Sequence, residues 1–159
     1  TVDLDGNVVS GTRTASSETP MHLAVYTKRP DVHAVVHAHP PTATGFTVAG
    51  IPLTDNVIPE IILTLGKIPT APYVTPSSDE GPRAVAENIA ENDAILLDHH
   101  GALTVGENLI QAYFRMEKVE YAAKVLLTAH KLGGINPLTP EQLEKLHTIS
   151  VYGKKYKGD

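Results

Sequence analysis

Residues 32–41 read VHAVVHAHPP, and this stretch indicates the class of fold. β-Branched and small residues alternate from Val32 to His39, which predicts a β-strand of about 7 residues. Proline cannot donate to a strand ladder, so Pro40 and Pro41 end the strand and begin a loop. Because helices are predicted on both sides of this strand along the chain, the sequence indicates a layered α/β or α+β protein.

Two histidines lie at the end of this predicted strand. Side chains alternate between the two faces of a strand, so His37 and His39 point the same way, with Cα atoms roughly 6.5 Å apart. Two imidazoles so placed can bind one divalent metal ion, whose zinc–nitrogen bonds are about 2.0–2.1 Å long. The alternative is a pair of unrelated polar histidines. His33 shares the face but lies about 13 Å away, and we expect it to be structural.

A third histidine ligand is expected at a second junction between a strand and a loop. Ala94 to Leu97 predicts a short buried strand, which runs into Asp98-His99-His100-Gly101. Glycine permits another backbone segment to approach closely. Alternation does not choose between His99 and His100, because the inward face of the strand is not known from the sequence.

An acidic residue stands at the start of the first predicted helix. Residues 16–20, SSETP, combine hydroxyl side chains with an early proline and predict a helix of about 10 residues. Backbone N–H groups and the dipole at a helix start favour anions, so Glu18 beside two serines indicates a pocket for a phosphate or an enolate. The alternative is that Glu18 only stabilises the helix start. His22 shares its face and is expected to pack or to support the site.

Other patterns predict the remaining elements. Asp5-Gly6-Asn7 between apolar residues predicts a β-hairpin from Val2 to Val9. A capping box of Ser77 and Glu80 predicts a helix to about Glu91. Thr42 to Ala49 fits either a short helix or a second strand.

Two further helices are predicted in the last third of the chain. Apolar residues repeat at helical spacing from Glu107 to Leu132, before a glycine pair. A shorter helix is predicted from Thr139. The charged residues of the long helix are interpreted as a solvated face; they are Arg115, Glu117, Lys118 and Glu120.

Composition excludes several classes of protein. The chain has 159 residues, of which 42% are hydrophobic and 19% charged, as in ordinary globular proteins. A net charge of -5 argues against binding nucleic acid, and no apolar stretch is long enough to span a membrane. Without cysteine, a transition-metal site must use His, Asp or Glu, and a cytoplasmic location is expected. Because no linker or repeat is visible, we expect one domain over residues 1–159.

Three motifs, in order, resemble the class II aldolase/adducin family: SSETPMH at 16–22, VVHAHP at 35–40 and LLDHHGALTVG at 96–106. The resemblance runs across almost the whole chain. It implies a three-layer α/β/α sandwich around a central mixed, largely antiparallel sheet. It also implies a homotetramer with active sites at subunit contacts, and a chain that lacks the N-terminal segment of typical members.

The same resemblance implies the roles of six residues. In the family's sugar-phosphate aldolases, three histidines bind zinc, in whose place Mn²⁺ or Co²⁺ is an alternative; the matching residues are His37, His39 and His100. Glu18 matches the acid/base, while Ser16 and Ser17 match serines that hold the substrate phosphate. The implied reaction cleaves a short ketose phosphate, such as L-fuculose 1-phosphate, into dihydroxyacetone phosphate and an aldehyde.

Several alternatives exist within the family. An L-ribulose-5-phosphate 4-epimerase usually carries Asp at the position of Glu18, which favours the aldolase, whereas a thio-sugar-phosphate dehydratase shares the metal and the Glu. A non-catalytic adducin-like binding module lacks the ligand histidines. The tyrosine that protonates the leaving group in some aldolases matches Asn56 here, so Tyr152 or Tyr156 in the tail is the candidate instead.

Overall fold

A mixed β-sheet forms the middle layer of the computed structural model, which describes residues 1–53 and 56–148. Within these residues its strands are β1 (Ala34–Ala38), β2 (Thr70–Ala71), β3 (Ala94–Leu97) and β4 (Gly101–Gly106), in the order β1-β4-β3-β2. Strand β4 pairs antiparallel with β1 and β3, whereas β2 runs parallel to β3. The predicted mixed, largely antiparallel sheet is confirmed.

Helices cover both faces of this sheet. The helices are α1 (Thr19–Lys28), α2 (Pro41–Val48), α3 (Pro59–Thr64), α4 (Glu80–Ile89), α5 (Leu109–Lys131) and α6 (Pro140–Thr148). Helices α1 and α4 pack together on one face, and α2, α3 and α5 cover the other. The three-layer α/β/α architecture is therefore confirmed. None of the helices in the described part of the chain is both long and apolar enough to cross a membrane.

Strand alternation divides the apolar core between the two faces. In β3, Ala94 and Leu96 pack toward α2, α3 and α5, whereas Ile95 and Leu97 pack toward α1 and α4. Every residue of β3 is buried, as expected for a strand with helices on both sides. In β1, Val35 packs on the α1/α4 side. His37, two residues further along β1, therefore points toward the same helices.

Strand β4 is the main element that the sequence patterns missed. Its sequence GALTVG has glycine at both ends, and all six residues are buried, so it shows no polar–apolar alternation. Gly101 allows β4 to approach β1 closely, as the sequence predicted for a glycine at this junction. A Cβ at Gly101 would collide with the carbonyl oxygen of Ala38 and would lie 2.7 Å from Cδ2 of His39.

Two local predictions are wrong or only partly realised. The predicted N-terminal hairpin is present only as one antiparallel bridge between Val2 and Val8. The carboxylate of Asp3 closes the turn between these residues by accepting the N–H groups of Asp5 and Asn7. The capping box at Ser77 does not form: α4 has Asp79 at its N-cap without a side-chain capping bond. The reason is that Ser77 has φ +62°, in a turn that precedes the helix. The ambiguous segment from Thr42 to Ala49 is helical.

The charged residues of α5 are not all on a solvated face. The carboxylate of Glu120 has 14% of its side chain exposed and accepts hydrogen bonds from the N–H groups of Thr42 (3.1 Å) and Ala43 (3.0 Å). Burial raises the pKa of Glu120, but hydrogen bonds from Thr42 and Ala43 outweigh it, and the pKa is lowered. Arg115 is likewise mostly buried and pairs with Asp93 at 2.6 Å. Glu120 therefore caps the N-terminus of α2.

Replacing Glu120 tests this cap. We expect Glu120→Ala to lower the free energy of unfolding at neutral pH by about 1–2 kcal/mol, because N–H groups of α2 lose their acceptor. Folding lowers the pKa of Glu120 below its usual 4.5, so this stabilisation is present above that pH and is lost as the pH falls through the folded-state pKa. Urea unfolding of wild type and variant at neutral and acidic pH measures the difference.

The matched control is Glu117→Ala, three residues earlier on α5. The carboxylate of Glu117 accepts a hydrogen bond from the exposed Tyr113 on the same helix. Its loss should change the free energy of unfolding by less than about 0.5 kcal/mol. Equal destabilisation by both substitutions would contradict a capping role for Glu120.

Candidate active site

Three histidine rings meet where β1 ends and β4 begins. His37, His39 and His100 have ring centroids 4.9 Å apart in every pair. One nitrogen from each ring lies within 4.8 Å of the others. His37 and His39 point the same way, as strand alternation predicts, and their Nε2 atoms are 3.2 Å apart. The antiparallel pairing of β1 with β4 brings the third ring to this pair.

The tautomer of His37 follows from its hydrogen bond. Its Nδ1 lies 2.9 Å from the carbonyl oxygen of Ala102, and a carbonyl can only accept, so Nδ1 carries the proton. The lone pair is then on Nε2, which faces the other two rings. Burial lowers the pKa of His37, helped by its two histidine neighbours and opposed by the Ala102 bond and by Glu18. A neutral imidazole with a free Nε2 is the form that binds metal.

The donor set fits a divalent transition metal. Two ligands at tetrahedral angles with bonds of about 2.0–2.1 Å have nitrogens about 3.3 Å apart, close to the 3.2 Å between His37 and His39. Histidines that bind a metal usually donate their other ring N–H to a carbonyl or carboxylate oxygen, as Nδ1 of His37 does to Ala102. Three neutral nitrogen ligands also leave positions open for substrate oxygens, as in catalytic zinc sites.

The turn between β3 and β4 decides which of the two adjacent histidines joins the cluster. The N–H of His100 donates to the carbonyl of Leu97, and His99 has φ +56° in the middle of this turn. His99 therefore points away from the cluster, with Nδ1 2.9 Å from Asp98 and its ring against Tyr73. His100 is the member that joins His37 and His39.

Glu18 lies beside the histidine cluster. It is the N-cap residue of α1, and its Oε2 is 3.9 Å from Nε2 of His37. Its side chain is 29% exposed, so it reaches both the cluster and solvent. His22, one turn further on, is half-buried; burial lowers its pKa and outweighs the opposing effect of the Glu18 carboxylate. Glu18 is therefore the acidic group that α1 holds at the cluster.

The remaining predicted residues have different positions. Ser16 and Ser17 are exposed just before α1, and Oγ of Ser16 accepts the N–H of Glu18 at 3.2 Å. His33 is exposed and outside the cluster. Asn56 is exposed and accepts the N–H of Leu138 through its carbonyl. The candidate tyrosines Tyr152 and Tyr156 lie outside the described residues.

One supporting residue was not visible to sequence reasoning. Thr47 of α2 is 3% exposed, and its Oγ1 donates to the carbonyl of Thr44 and accepts the N–H of His99 at 3.1 Å. It therefore connects α2 to the turn that presents His100. The sequence did not reveal this contact, because residues 42–49 fitted either a helix or a strand, and only the helix places Thr47 beside that turn.

Comparisons with known proteins agree with this architecture. The family model described as Class II Aldolase and Adducin N-terminal domain matches residues 1–127. The 5-deoxy-D-ribulose 1-phosphate aldolase of Bacillus thuringiensis serovar kurstaki is 31% identical over 158 residues, which are 99% of this chain and 70% of that protein. The 3-oxo-tetronate 4-phosphate decarboxylase of Escherichia coli (strain K12) is 35% identical over 129 residues, which are 79% of this chain and 60% of that protein.

Structural similarity gives the same result. A solved structure of L-fuculose 1-phosphate aldolase matches with a TM-score of 0.82 and 36% sequence identity, covering 91% of this chain and 68% of that chain. The chain thus spans 60% to 70% of the length of these relatives. The relatives are named as aldolases and a decarboxylase, enzymes that break carbon–carbon bonds. The chain belongs to the class II aldolase and adducin family, among its aldolase-type lyases.

Proposed function

We propose that this chain forms the catalytic centre of a zinc-dependent aldolase that cleaves or forms a short ketose phosphate. The products of cleavage are dihydroxyacetone phosphate and an aldehyde, and an L-fuculose 1-phosphate-like sugar is the proposed substrate. The observation that carries the proposal is the cluster of His37, His39 and His100, with a carboxylate oxygen of Glu18 3.9 Å from the nearest ligand nitrogen. The aldolases among the relatives support the same reaction class.

The metal ligands in this proposal are the three clustered histidines. A divalent ion bound there, zinc or in its place manganese or cobalt, supplies Lewis acidity toward the carbonyl and hydroxyl oxygens of the substrate. His37 contributes a neutral Nε2, since burial lowers its pKa and Ala102 holds the proton on Nδ1. These three nitrogens add no charge, so the centre remains attractive to anionic oxygens.

Glu18 moves the proton in the proposed reaction. In the direction of synthesis, its carboxylate removes a proton from the carbon of dihydroxyacetone phosphate that forms the new bond. In cleavage, the hydroxyl group that becomes the aldehyde oxygen gives its proton to water, the carbon–carbon bond breaks, the aldehyde leaves, and the protonated Glu18 delivers its own proton to the same carbon. Its position at the N-cap of α1, partly exposed beside the cluster, allows contact with substrate without burying an unpaired charge.

Ser16 and Ser17 are proposed to hold the substrate phosphate. Both precede α1, whose N-terminal N–H groups favour an anion. Their exposed hydroxyls lie one and two residues from Glu18 along the chain, which supports a phosphate site close to the proposed proton carrier. The phosphate would therefore bind on the same side of the centre as the proton carrier.

A decarboxylase is the second candidate function. The Escherichia coli relative named 3-oxo-tetronate 4-phosphate decarboxylase is 35% identical to this chain over 129 residues. Loss of carbon dioxide from a 3-oxo acid phosphate leaves negative charge beside a carbonyl, so it requires the same ligands and the same proton return. Release of carbon dioxide from such an acid, without condensation of an aldehyde, would favour this candidate.

We also propose a cytoplasmic homotetramer with active sites at subunit contacts. Four large apolar residues on the first part of α5 are at least half exposed; they are Leu109, Ile110, Tyr113 and Phe114. The sequence placed them in one apolar repeat with core residues such as Val119, which is fully buried. A cluster of exposed apolar side chains on one helix supports self-association.

Metal content tests the ligand assignment. Purified without added metal, the wild-type protein should contain a divalent transition metal, and His37→Ala/His39→Ala should lose it. The control pair His33→Ala/His130→Ala removes two exposed histidines outside the cluster and should retain it. Inductively coupled plasma mass spectrometry gives the metal per chain. A metal-free wild type, or equal content in the two double variants, would refute the centre.

Deuterium uptake tests the proton transfer. In D₂O, zinc-loaded protein should exchange one carbon-bound proton of dihydroxyacetone phosphate, and Glu18→Gln should slow this by about 10²–10⁴-fold. The control Glu87→Gln changes an exposed carboxylate of α4 and should exchange normally. NMR of dihydroxyacetone phosphate follows the uptake. Normal exchange by Glu18→Gln would assign the proton transfer to another residue.

Light scattering after size exclusion tests the assembly. We expect Ile110→Glu/Phe114→Glu to reduce the mass of the particle, because burying a carboxylate in an apolar contact is unfavourable. Leu132→Glu, at a leucine 83% exposed beyond the end of the same helix, should leave the mass unchanged. A monomeric wild type, or a double variant of unchanged mass, would exclude this surface.

A further inference from the structure

A tight turn joins β3 to β4 at the histidine end of the sheet. The pairing of these strands ends at Leu97 and Gly101. Between them, the N–H of His100 donates to the carbonyl of Leu97 at 3.0 Å, which closes a β-turn whose central residues are Asp98 and His99. His100 directly follows these central residues, so the conformation of the turn affects where its ring lies.

The second central residue of this turn has an unfavourable backbone conformation. His99 has φ +56°, whereas the φ of Asp98 is negative. Positive φ at the second central residue alone defines a type II turn, where glycine or asparagine is usual because a Cβ there lies too close to a carbonyl oxygen. A type I turn closes the same hydrogen bond with negative φ at both residues. Other contacts must therefore stabilise the type II form at His99.

The two turn types differ in the peptide group between Asp98 and His99. A change from type II to type I alters ψ of the first central residue and φ of the second by about 150–170° each. This change turns the peptide over and reverses the direction of its N–H. In the structure that N–H, which belongs to His99, donates to Oγ1 of Thr47 at 3.1 Å. The hydrogen bond to Thr47 would therefore be lost in a type I turn.

The hydroxyl of Thr47 is oriented to accept this hydrogen bond. Thr47 lies in α2 and is 3% exposed, and its Oγ1 donates to the carbonyl of Thr44 at 2.8 Å. A hydroxyl has one proton, so the bond to Thr44 leaves Oγ1 to act as an acceptor toward His99. A buried side chain on a neighbouring helix thus holds the one peptide group that distinguishes the two turn types.

We propose that Thr47 is a positioning residue for the metal centre: its hydroxyl holds the turn in the type II form and so fixes His100 as the third ligand. A turn that alternated between two forms would present His100 less precisely, and residues that orient a ligand contribute to metal affinity. This inference rests on the metal centre proposed above, but it does not depend on which carbon–carbon bond the enzyme breaks.

Co²⁺ affinity tests the positioning role. The full chain is loaded with Co²⁺, whose visible absorption reports the bound ion, and competition with a chelator gives the dissociation constant. We expect Thr47→Val, which removes the hydroxyl, to weaken binding about tenfold or more. Thr47→Ser keeps the hydroxyl and should bind Co²⁺ as wild type does. Thermal unfolding verifies that each variant folds, and Thr47→Ala replaces Thr47→Val if the latter does not.

The matched control is Thr128→Val, the same substitution on α5. Oγ1 of Thr128 also donates to a carbonyl of its own helix, that of Lys124 at 2.9 Å, but Thr128 is exposed. Its substitution removes an intrahelical hydrogen bond without affecting the turn, so Co²⁺ affinity should equal that of wild type. Equal weakening by Thr128→Val and Thr47→Val would overturn the proposal.

A second substitution separates positioning from general damage to the fold. Glycine adopts positive φ without a steric penalty, so His99→Gly should restore most of the affinity that Thr47→Val loses. His99→Ala also removes the imidazole but keeps a Cβ, so it should not restore the affinity of Thr47→Val. Equal affinity of the two double variants would overturn the proposal. Unchanged binding in Thr47→Val, or equal losses in Thr47→Val and Thr47→Ser, would also overturn it.

Failure of this inference is distinguishable from failure of the proposed metal centre. If wild type and Thr47→Val bind Co²⁺ equally, and His37→Ala/His39→Ala does not bind it, the centre remains and only the role of Thr47 is removed. If wild type does not bind Co²⁺, or if His37→Ala/His39→Ala binds it as tightly as wild type, the centre fails and the positioning role fails with it.

Discussion

The antiparallel pairing of β1 with β4 is the constraint on which the candidate site depends. In its register Ala38 lies opposite Ala102, which places the carbonyl of Ala102 beside His37 and the start of β4 beside His39. The two strands approach so closely at Gly101 that no side chain fits there. The same pairing thus orients one histidine by a hydrogen bond and brings His100 to the other two. Without it, His100 would lie on a segment separate from the strand end that carries His37 and His39.

Helix α2 supports this pairing from outside the sheet. It starts two residues after His39, and Glu120 of α5 caps its N-terminus. Further along α2, Thr47 accepts the N–H of His99 in the turn before His100. One helix therefore contacts the chain next to the clustered histidines both after β1 and before β4. Thr47 is buried and Glu120 is mostly buried, and the hydrogen bonds of both are satisfied, which makes the geometry specific as well as stable.

Charged groups are distributed differently at the two ends of the sheet. At the end away from the histidines, Asp93 lies between Arg29 and Arg115, at 3.0 and 2.6 Å. Arg29 also donates to the carbonyls of Ile89 and Asn92, and its hydrogen bond to Asp31 is the main cause that raises its pKa. These charges are paired within the fold. At the histidine end, the carboxylate of Glu18 is 29% exposed and lies 3.9 Å from Nε2 of His37, beside the three clustered rings.

The sequence by itself determined the chemical groups and much of the secondary structure. Period-two alternation put His37 and His39 on one face, the turn residues around 98–101 marked the second junction, and helical spacing identified α5. The motif resemblance named the family and implied roles for the site residues, which stay predictions. These features are local, since strand alternation and helix starts depend on neighbours within a few residues.

The tertiary structure decided what depends on contacts between distant parts of the chain. Three features depend on which segments pack against each other. They are the formation of the glycine-flanked strand β4, the presence of His100 rather than His99 in the cluster, and the capping of α2 by Glu120. The exposure of Leu109, Ile110, Tyr113 and Phe114 also follows from packing, because helical spacing gives the face of a helix but not its partner. The reason is physical: hydrophobic burial and hydrogen-bond satisfaction depend on the whole fold, whereas propensity and periodicity depend only on adjacent residues.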